Sequence, residues 1–211
     1  MHHPRYLQRV RALCDQYQAH LICDEIAVGF GRTGTFFAHE QAGIRPDLLC
    51  LSKGITGGYL PLSVVLSSNI IYQAFWDDDV RRGFLHSHSY TGNPLACRAA
   101  LATLDIFDTE NTLERNRQLS AVITAALQPL ATHPSIRNFR HTGMIWAMDV
   151  DTQLPDFSRR YFAAAMARGL LVRPIGNTIY LMPPYVLSHT DAQWVADQMS
   201  SALNATLGAS S

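Results

Sequence analysis

Residues 21–58, LICDEIAVGFGRTGTFFAHEQAGIRPDLLCLSKGITGG, decide the fold of this chain. They contain two short apolar runs, and each run ends in charged side chains. The first run leads into Asp24 and Glu25, and the second leads into Lys53. Uninterrupted apolar runs of this length are typical of buried parallel strands. We therefore expect an acid and a lysine at the carboxyl ends of two neighbouring strands.

The composition excludes several classes of function. The chain has 211 residues, is 47% hydrophobic and carries 17 basic and 17 acidic residues. It is long enough to bury a core, and its balanced charge gives no basic surface for nucleic acid or an anionic membrane. The first ten residues, MHHPRYLQRV, lack the apolar core of a signal peptide. Residues 54–76 are uncharged, but glycine, proline and polar residues interrupt them, so we predict no membrane span.

The four cysteines and the paired histidines show no metal-binding pattern. Cys14, Cys23, Cys50 and Cys97 have no CxxC spacing, which predicts free thiols in a reducing compartment and hence a cytoplasmic protein. The histidines in residues 86–88 lack the further ligands that a metal site needs. We therefore expect no metal.

The order of elements predicts an α/β fold followed by a smaller α+β part. Apolar runs at residues 21–23, 48–51 and 62–66 read as strands of a mostly parallel sheet with helices on both faces. Asn93 with Pro94 predicts the start of a long helix. We place a large domain at residues 1–132 and a small domain at residues 133–211. The small domain has predicted strands at 137–141, 144–150, 170–173 and 178–182, and predicted helices at 157–168 and after Ser188.

The glycines after the first strand allow two interpretations. Gly29, Gly31 and Gly34 spell G-x-G-x-x-G, the pattern of a dinucleotide-binding loop. Such a loop should run into a full helix and then into a strand that ends in an acid. Here the next strand begins with an acid, Asp47, and ends in a lysine. Glycines that allow a tight loop are the better interpretation.

The second interpretation depends on Asp24 and Lys53. A lysine at a strand end, beside glycines, can lose its proton and attack a carbonyl group. Pyridoxal phosphate needs such a lysine for its Schiff base, and it needs a carboxylate that keeps the pyridine nitrogen protonated. Either residue alone is more simply a surface lysine or a buried acid. Together they lie at the edge where open α/β sheets bind ligands.

Two longer motifs carry a resemblance to a known family. D-E-I-x-x-G-F-G-R-T-G and R-P-D-x-x-x-L-S-K-G-I-T-G-G, with Asp24 and Lys53 29 positions apart, resemble the class III aminotransferases of fold type I. The later G-N-P-L-A is similar to that family too. The resemblance covers most of the chain, and it is strongest for residues 21–107.

The resemblance implies a role for individual residues. It makes Lys53 the Schiff-base lysine, which also moves a proton, and Asp24 the partner of the pyridine nitrogen. Ser89 falls where the family has a threonine that binds the cofactor phosphate across a homodimer interface, and His88 would contribute its backbone. Glu25 is expected to be a structural acid.

Three further strings imply the substrates. C-L-S-K-G-I-T-G-G-Y-L-P-L-S, H-S-H-S-Y-T-G-N-P-L-A-C and V-R-P-I-G-N-T-I-Y-L-M-P-P-Y are similar to the branch of the family that serves biotin synthesis. That branch implies S-adenosylmethionine as amino donor and 8-amino-7-oxononanoate as acceptor. Arg173 matches an arginine that binds the substrate carboxylate, for which a guanidinium is well shaped. Ser87 would line the substrate pocket.

Family members are about twice this length, which the resemblance implies. We therefore expect the chain to be a carboxyl-terminal portion, without the phosphate-binding turn and the aromatic ring that stacks on the cofactor. Such a chain alone should bind pyridoxal phosphate weakly and have little activity. Three alternatives stay open: another class III ω-amino acid transaminase, a non-catalytic fragment, and a dinucleotide-binding module.

Overall fold

The computed structural model describes residues 2–208. They form two compact units, one up to Leu113 and one from Glu114 onward. The domain boundary expected between residues 132 and 133 stays a prediction, but the helices of residues 114–131 contribute to the core of the second unit. None of the helices within residues 2–208 is both long and apolar enough to cross a membrane.

The first unit is built of one small sheet and three α-helices, joined by short 3-10 turns. The expected start of α3 is confirmed, because the Asn93 side chain accepts hydrogen bonds from the backbone N–H groups of Leu95 and Ala96. The α-helices and strands are α1 Pro4–Gln16, β1 Ile22–Asp24, β2 Leu48–Leu51, β3 Val64–Ser67, α2 Asn69–Gln73 and α3 Pro94–Thr109.

The sheet has the order β1-β2-β3 and is only partly parallel. β1 pairs with β2 in parallel, with Ile22 opposite Leu48 and Asp24 opposite Cys50. β3 pairs antiparallel to β2. The third strand expected at residues 62–66 is present as β3, which starts two residues later, but the expectation that it is buried was wrong, because most of its residues are exposed. The connection from β2 to β3 contains only a 3-10 turn and a loop, without the α-helix that usually makes a parallel crossover.

The core of the first unit lies between this sheet and its helices. Burial alternates along β2, where Leu49 and Leu51 are buried and their neighbours are half-buried. Helix α1 contributes half-buried apolar side chains, and α3 contributes the buried Ala100. The buried members of this core are Leu21, Cys23, Phe30, Leu49, Leu51, Ile55 and Ala100.

Asp47 joins α1, β1 and β2 at the amino-terminal end of the parallel pair. Its Oδ2 accepts hydrogen bonds from the backbone N–H of Leu21 (2.7 Å) and from the Arg11 guanidinium (2.8 Å). These two donors lower the pKa of the Asp47 carboxyl, the backbone donor contributing most. Asp47, which directly precedes β2, therefore fixes which residues of β1 and β2 lie opposite each other.

The second unit is an antiparallel sheet covered by helices. Its elements are α4 Thr112–Ala126, which begins two residues before the unit boundary, α5 Gln128–Ala131, β4 Ile136–Thr142, β5 Ile145–Val150, α6 Phe157–Met166, β6 Thr178–Leu181 and α7 His189–Gly208. The sheet order is β4-β5-β6, with a bulge between Arg137 and Arg140. The expected paired strands around Gly143 are confirmed. The predicted strand at 170–173 was wrong, because these residues pair with neither neighbour of the sheet and belong to no ladder.

The core of the second unit is larger and has polar groups tied into it. Trp146 is fully buried and donates its Nε1–H to Thr124, while its ring stacks on His141 at 4.9 Å. The Tyr161 hydroxyl donates to the carbonyl of Met199, and burial raises its pKa. The expected capping pair before α7 is confirmed: Asp191 N–H donates to the Ser188 hydroxyl, which donates to the Asp191 carboxylate.

Asp47→Asn should destabilise the chain by about 2 kcal/mol at pH 7, since two bonds to a charged group are weakened. The folded pKa of Asp47 is lowered, so its contribution is present above the unfolded value of about 3.9 and is lost as pH falls through the folded pKa. The wild-type advantage should therefore shrink below about pH 4. Urea unfolding at several pH values measures both effects.

The matched control is Asp105→Asn, which removes an exposed ion pair with Arg98 (3.4 Å) in the same unit. This variant should stay within about 0.5 kcal/mol of wild type. Equal losses in the two variants would contradict the role of Asp47 in the strand register.

Candidate active site

The structure brings Asp24 and Lys53 to the same end of the first sheet, where the parallel strands β1 and β2 have their carboxyl ends. Asp24 is the last residue of β1 and lies opposite Cys50 on β2. The Glu25 N–H donates to the carbonyl of Cys50 at 2.9 Å, which continues the parallel pairing one residue further. β2 ends at Leu51, and Lys53 follows two residues later. The side chains of Asp24 and Lys53 are both exposed.

The backbone at Lys53 is strained. Its φ is +45°, in the left-handed region that favours glycine. Lys53 begins a 3-10 turn that ends at Thr56, and the preceding residue, Ser52, is extended. The Ser52 hydroxyl donates to the carbonyl of Leu62 at 2.7 Å, and the Thr56 hydroxyl donates to Leu60. The turn is therefore held on both sides of the lysine.

The Asp24 carboxylate is oriented by its own backbone. Its Oδ1 accepts the N–H of Ile26 at 3.0 Å, a local turn that limits the rotation of the side chain. An ionised carboxylate can accept about four hydrogen bonds. Asp24 therefore keeps capacity for a donor on a ligand at the sheet edge.

Glu25 is a structural acid, as expected. It is 3% exposed, and its carboxylate accepts the backbone N–H groups of Ala38 (2.6 Å) and His39 (2.8 Å). The His39 ring Nδ1 lies 2.8 Å from the same carboxylate. Because a buried carboxylate must be satisfied, these contacts anchor the far end of the glycine loop to β1.

Phe30 is the residue that sequence reasoning missed. It is 4% exposed, has a φ of +56°, and lies between two glycines of the G-x-G-x-x-G pattern. A Cβ added to Gly54 would lie 3.0 Å from Phe30. The sequence offers one signal for this contact: an aromatic residue stands between two glycines of the loop, and it packs against Gly54, next to Lys53.

The glycine loop does not have the form of a dinucleotide site. Gly31 and Gly34 have positive φ values and close a tight turn. The loop runs into a 3-10 helix of five residues, Ala38–Ala42, where a dinucleotide fold has a full α-helix.

The polar loop before α3 lies in the first unit. Ser87, His88 and Ser89 are all exposed. The His88 N–H donates to the Thr91 hydroxyl at 3.0 Å, and the His88 Nδ1 accepts the N–H of Tyr90. These bonds shape a turn in which the imidazole supports the backbone. The roles expected for Ser87, His88 and Ser89 stay predictions.

Arg173 belongs to the second unit. Its side chain is exposed and follows the buried Val172. Its role toward a substrate carboxylate stays a prediction.

A groove of about 400 Å³ in the first unit is apolar. Its lining comes from the glycine loop, β2, β3 and α3, and includes Phe30, Phe36, Phe37, Leu51, Leu66 and Leu101. Such a lining offers no partner for a phosphate or a carboxylate. No group of three or more histidine, cysteine, aspartate or glutamate side chains among residues 2–208 is arranged to hold a metal ion.

The residues at the sheet edge fit pyridoxal phosphate in two respects. Lys53 has an accessible amine for covalent attachment, and Asp24 has an oriented carboxylate with accepting capacity for a protonated ring nitrogen. Both groups lie at the carboxyl end of the parallel pair, where α/β sheets bind ligands. The edge is therefore suited to a cofactor that needs a lysine and an acid.

Comparison with known proteins decides the family. The family model for class III aminotransferases matches residues 1–203. The chain belongs to this family. Pyridoxal phosphate is the cofactor of the family. The solved structure of a PLP-bound aminotransferase mutant from Vibrio fluvialis is 25% identical to this chain, with a TM-score of 0.89. The alignment covers 98% of this chain and 48% of the Vibrio fluvialis chain.

Other relatives are more similar in sequence. The adenosylmethionine-8-amino-7-oxononanoate aminotransferase of Helicobacter pylori is 51% identical over 90% of this chain and 45% of its own length. The solved enzyme of that name from Methanocaldococcus jannaschii is 32% identical, with a TM-score of 0.87 over 95% of this chain and 49% of its own. An (S)-enantioselective omega-transaminase from Thermomicrobium roseum is also 32% identical, with a TM-score of 0.85 over 94% of this chain and 46% of its own. The chain spans about half the length of the proteins it matches.

Substitutions at position 53 should reveal its backbone strain. A left-handed φ costs a residue with a side chain about 1 kcal/mol, so Lys53→Gly should be at least as stable as Lys53→Ala. At the extended Ser52, glycine should be less stable than alanine by about 0.5–1 kcal/mol. Urea unfolding of the four variants tests this, and an equal glycine penalty at both positions would contradict the strain.

Proposed function

We propose that the intact form of this chain transfers an amino group from S-adenosylmethionine to 8-amino-7-oxononanoate, giving 7,8-diaminononanoate in biotin synthesis. The chain would contribute the lysine and the acid of a site that holds pyridoxal phosphate. The observation that carries the proposal is the pairing of β1 with β2, which brings Asp24 and Lys53 to one edge of the sheet.

The choice of substrates rests on the relatives. The curated protein from Helicobacter pylori that is 51% identical has this reaction in its name. Identity at this level over 90% of the chain supports the same chemistry better than the fold does, because one fold serves many functions. The substrates are therefore part of the proposal for the intact protein.

Lys53 and Asp24 would have distinct tasks. Pyridoxal phosphate, when bound, supplies a carbonyl for an amine link and a ring that withdraws electrons. Lys53 Nζ would hold the group covalently and, once released, would carry a proton to and from the substrate carbon. The Asp24 carboxylate would keep a proton on the ring nitrogen, since an opposite charge raises the pKa of that nitrogen.

The remaining residues would bind and orient. The Ser89 hydroxyl and the His88 backbone would hold the phosphate, and Ser87 would line the substrate pocket. The Arg173 guanidinium would pair with the substrate carboxylate through two parallel hydrogen bonds. The role of Ser89 needs a second subunit, so we propose a homodimer for the intact enzyme, located in the cytoplasm.

An ω-amino acid transaminase is the second candidate. The solved omega-transaminase from Thermomicrobium roseum and the solved biotin-pathway enzyme are equally identical to the chain, at 32%. The amino donor distinguishes the two candidates, because S-adenosylmethionine serves the first and alanine serves the second.

Chemical trapping tests the site. The chain should be incubated with pyridoxal phosphate, treated with borohydride and digested for mass spectrometry. We expect the phosphopyridoxyl group on Lys53, which is the only lysine of the 211 residues. Asp24→Asn should lower the labelled fraction by about tenfold at limiting cofactor, because the ring nitrogen loses its partner.

Lys53→Arg is the control, since it keeps the charge and removes the reactive amine. It should leave only the label on the chain's amino terminus. Wild-type protein labelled at the terminus and nowhere else would contradict the proposed site.

The activity of the 211-residue chain provides a second test. We expect turnover at least about a hundredfold slower than that of the intact Helicobacter pylori enzyme, because the match covers only 45% of that enzyme's length and any positioning group in the rest is missing from the assay. The residual activity should require S-adenosylmethionine and fail with alanine. Turnover at the rate of the intact relative would contradict the weak activity, and a preference for alanine would favour the second candidate.

A further inference from the structure

The backbone of the lysine turn rests on a buried aromatic side chain. An added Cβ on Gly54 would lie 3.0 Å from both Cβ and Cδ2 of Phe30, and 3.2 Å from its Cγ. Phe30 therefore occupies the space that a side chain at position 54 would need. The contact is immediately next to Lys53, whose φ of +45° needs support from its surroundings.

Phe30 is itself held in an unfavourable conformation. Its φ of +56° is rare for a bulky residue, and it persists only where packing enforces it. The ring is edge-on to Phe36 at 5.4 Å and to Phe37 at 5.9 Å. We call these three side chains the aromatic wedge. Within the wedge, Phe30 contacts the lysine turn at Gly54, and Phe36 and Phe37 pack against Phe30.

Glu25 anchors the wedge to β1. Its carboxylate accepts the two N–H groups that directly follow Phe37, those of Ala38 and His39. The His39 ring stacks on Phe37 at 5.8 Å and also contacts the Glu25 carboxylate. A continuous set of contacts therefore runs from the acid beside Asp24 to the glycine beside Lys53.

We propose that Glu25 and Phe30 are positioning residues for Lys53: Glu25 fixes the loop, and Phe30 wedges against Gly54 and fixes the direction of the lysine. The mechanical part of this inference is that these contacts hold the lysine turn, and it rests on the contacts alone. The chemical part is that the held turn positions Lys53 for the cofactor, and it rests on the proposed function. Neither residue would touch the cofactor. The glycine loop thus serves as a support for the nucleophile.

The single lysine permits a direct test of the mechanical part. A protease that cleaves only after lysine can cut the 211-residue chain at one bond, between Lys53 and Gly54. Cleavage of the native chain requires that this turn opens. Phe30→Ala and Glu25→Gln should each speed cleavage by about tenfold or more, because a buried contact that holds the turn is lost. Each rate is divided by that of the same chain in urea, which removes differences in intrinsic cleavage.

Gly54→Ala should act through the same contact. It should speed cleavage by about fivefold, because the new methyl group displaces Phe30. The double variant with Phe30→Gly should cleave no faster than Phe30→Gly alone, since position 30 then carries neither the Cβ nor the ring that the methyl group would meet. Additive effects in the double variant would overturn the proposed contact.

Leu21→Ala is the matched control for general destabilisation. Leu21 is a buried core residue of the same unit and directly precedes β1, at the end away from Asp24. This variant should lower the urea midpoint as much as Phe30→Ala does, yet leave native cleavage within about twofold of wild type. Equal acceleration by both variants would reduce Phe30 to an ordinary core residue and overturn the inference.

The chemical part has its own measurement. At one fixed pH, the apparent Kd of cofactor attachment to Lys53, followed by absorbance, should rise by about tenfold in Phe30→Ala and Glu25→Gln and stay within about twofold of wild type in Leu21→Ala. Unchanged attachment in Phe30→Ala and Glu25→Gln would overturn the positioning role. If wild-type Lys53 took no label, the proposed function would fail, and the protease comparison would still decide whether Glu25 and Phe30 hold the turn.

Discussion

The parallel pairing of β1 with β2 is the constraint on which the rest of the first unit depends. It is short, with three residue pairs, and it is held at both ends. At the start, the Asp47 carboxylate binds the Leu21 N–H and Arg11. At the end, the Glu25 N–H donates to Cys50. Because side chains alternate along a strand, a shift by one residue would turn Asp24 away and expose the buried Cys23.

The candidate site combines exposed reactive side chains with a buried support. Asp24 and Lys53 are exposed, as groups that meet a ligand must be, while the residues beneath them are buried. Strain at Lys53 and Phe30 is concentrated at two neighbouring turns. Strained backbone of this kind persists where packing over-determines it, and it is common at functional sites. The hydrogen bonds of Glu25 supply part of that packing.

The sequence predicted the parts of the fold that depend on local pattern. Apolar runs with charged ends identified β1 and β2, and capping residues identified the starts of α3 and α7. The direction and exposure of β3 could not be predicted, because apolar content does not distinguish a buried strand from an exposed antiparallel one. The run 170–173 reads as a strand by composition, but a strand also needs a ladder partner, and composition does not specify one.

The candidate site was predictable for similar reasons, and only in part. Asp24 and Lys53 could be found because a strand end is a local feature and because the motif around them is specific to a family. The wedge could not be found in this way. The contact between Phe30 and Gly54 joins residues 24 positions apart, and it depends on a left-handed backbone at Phe30 that no pattern of hydrophobicity encodes.

The order β1-β2-β3 has a consequence for association. Within residues 2–208, β1 pairs with one strand only, so one of its sides presents free backbone groups. Edges of this kind invite the addition of a further strand and hence aggregation, and proteins protect them with short strands and charged side chains. β1 has three residues and ends in the exposed carboxylate of Asp24. The carboxylate that suits a cofactor nitrogen therefore also makes β1 a poor template for strand addition on the side that is unpaired within residues 2–208.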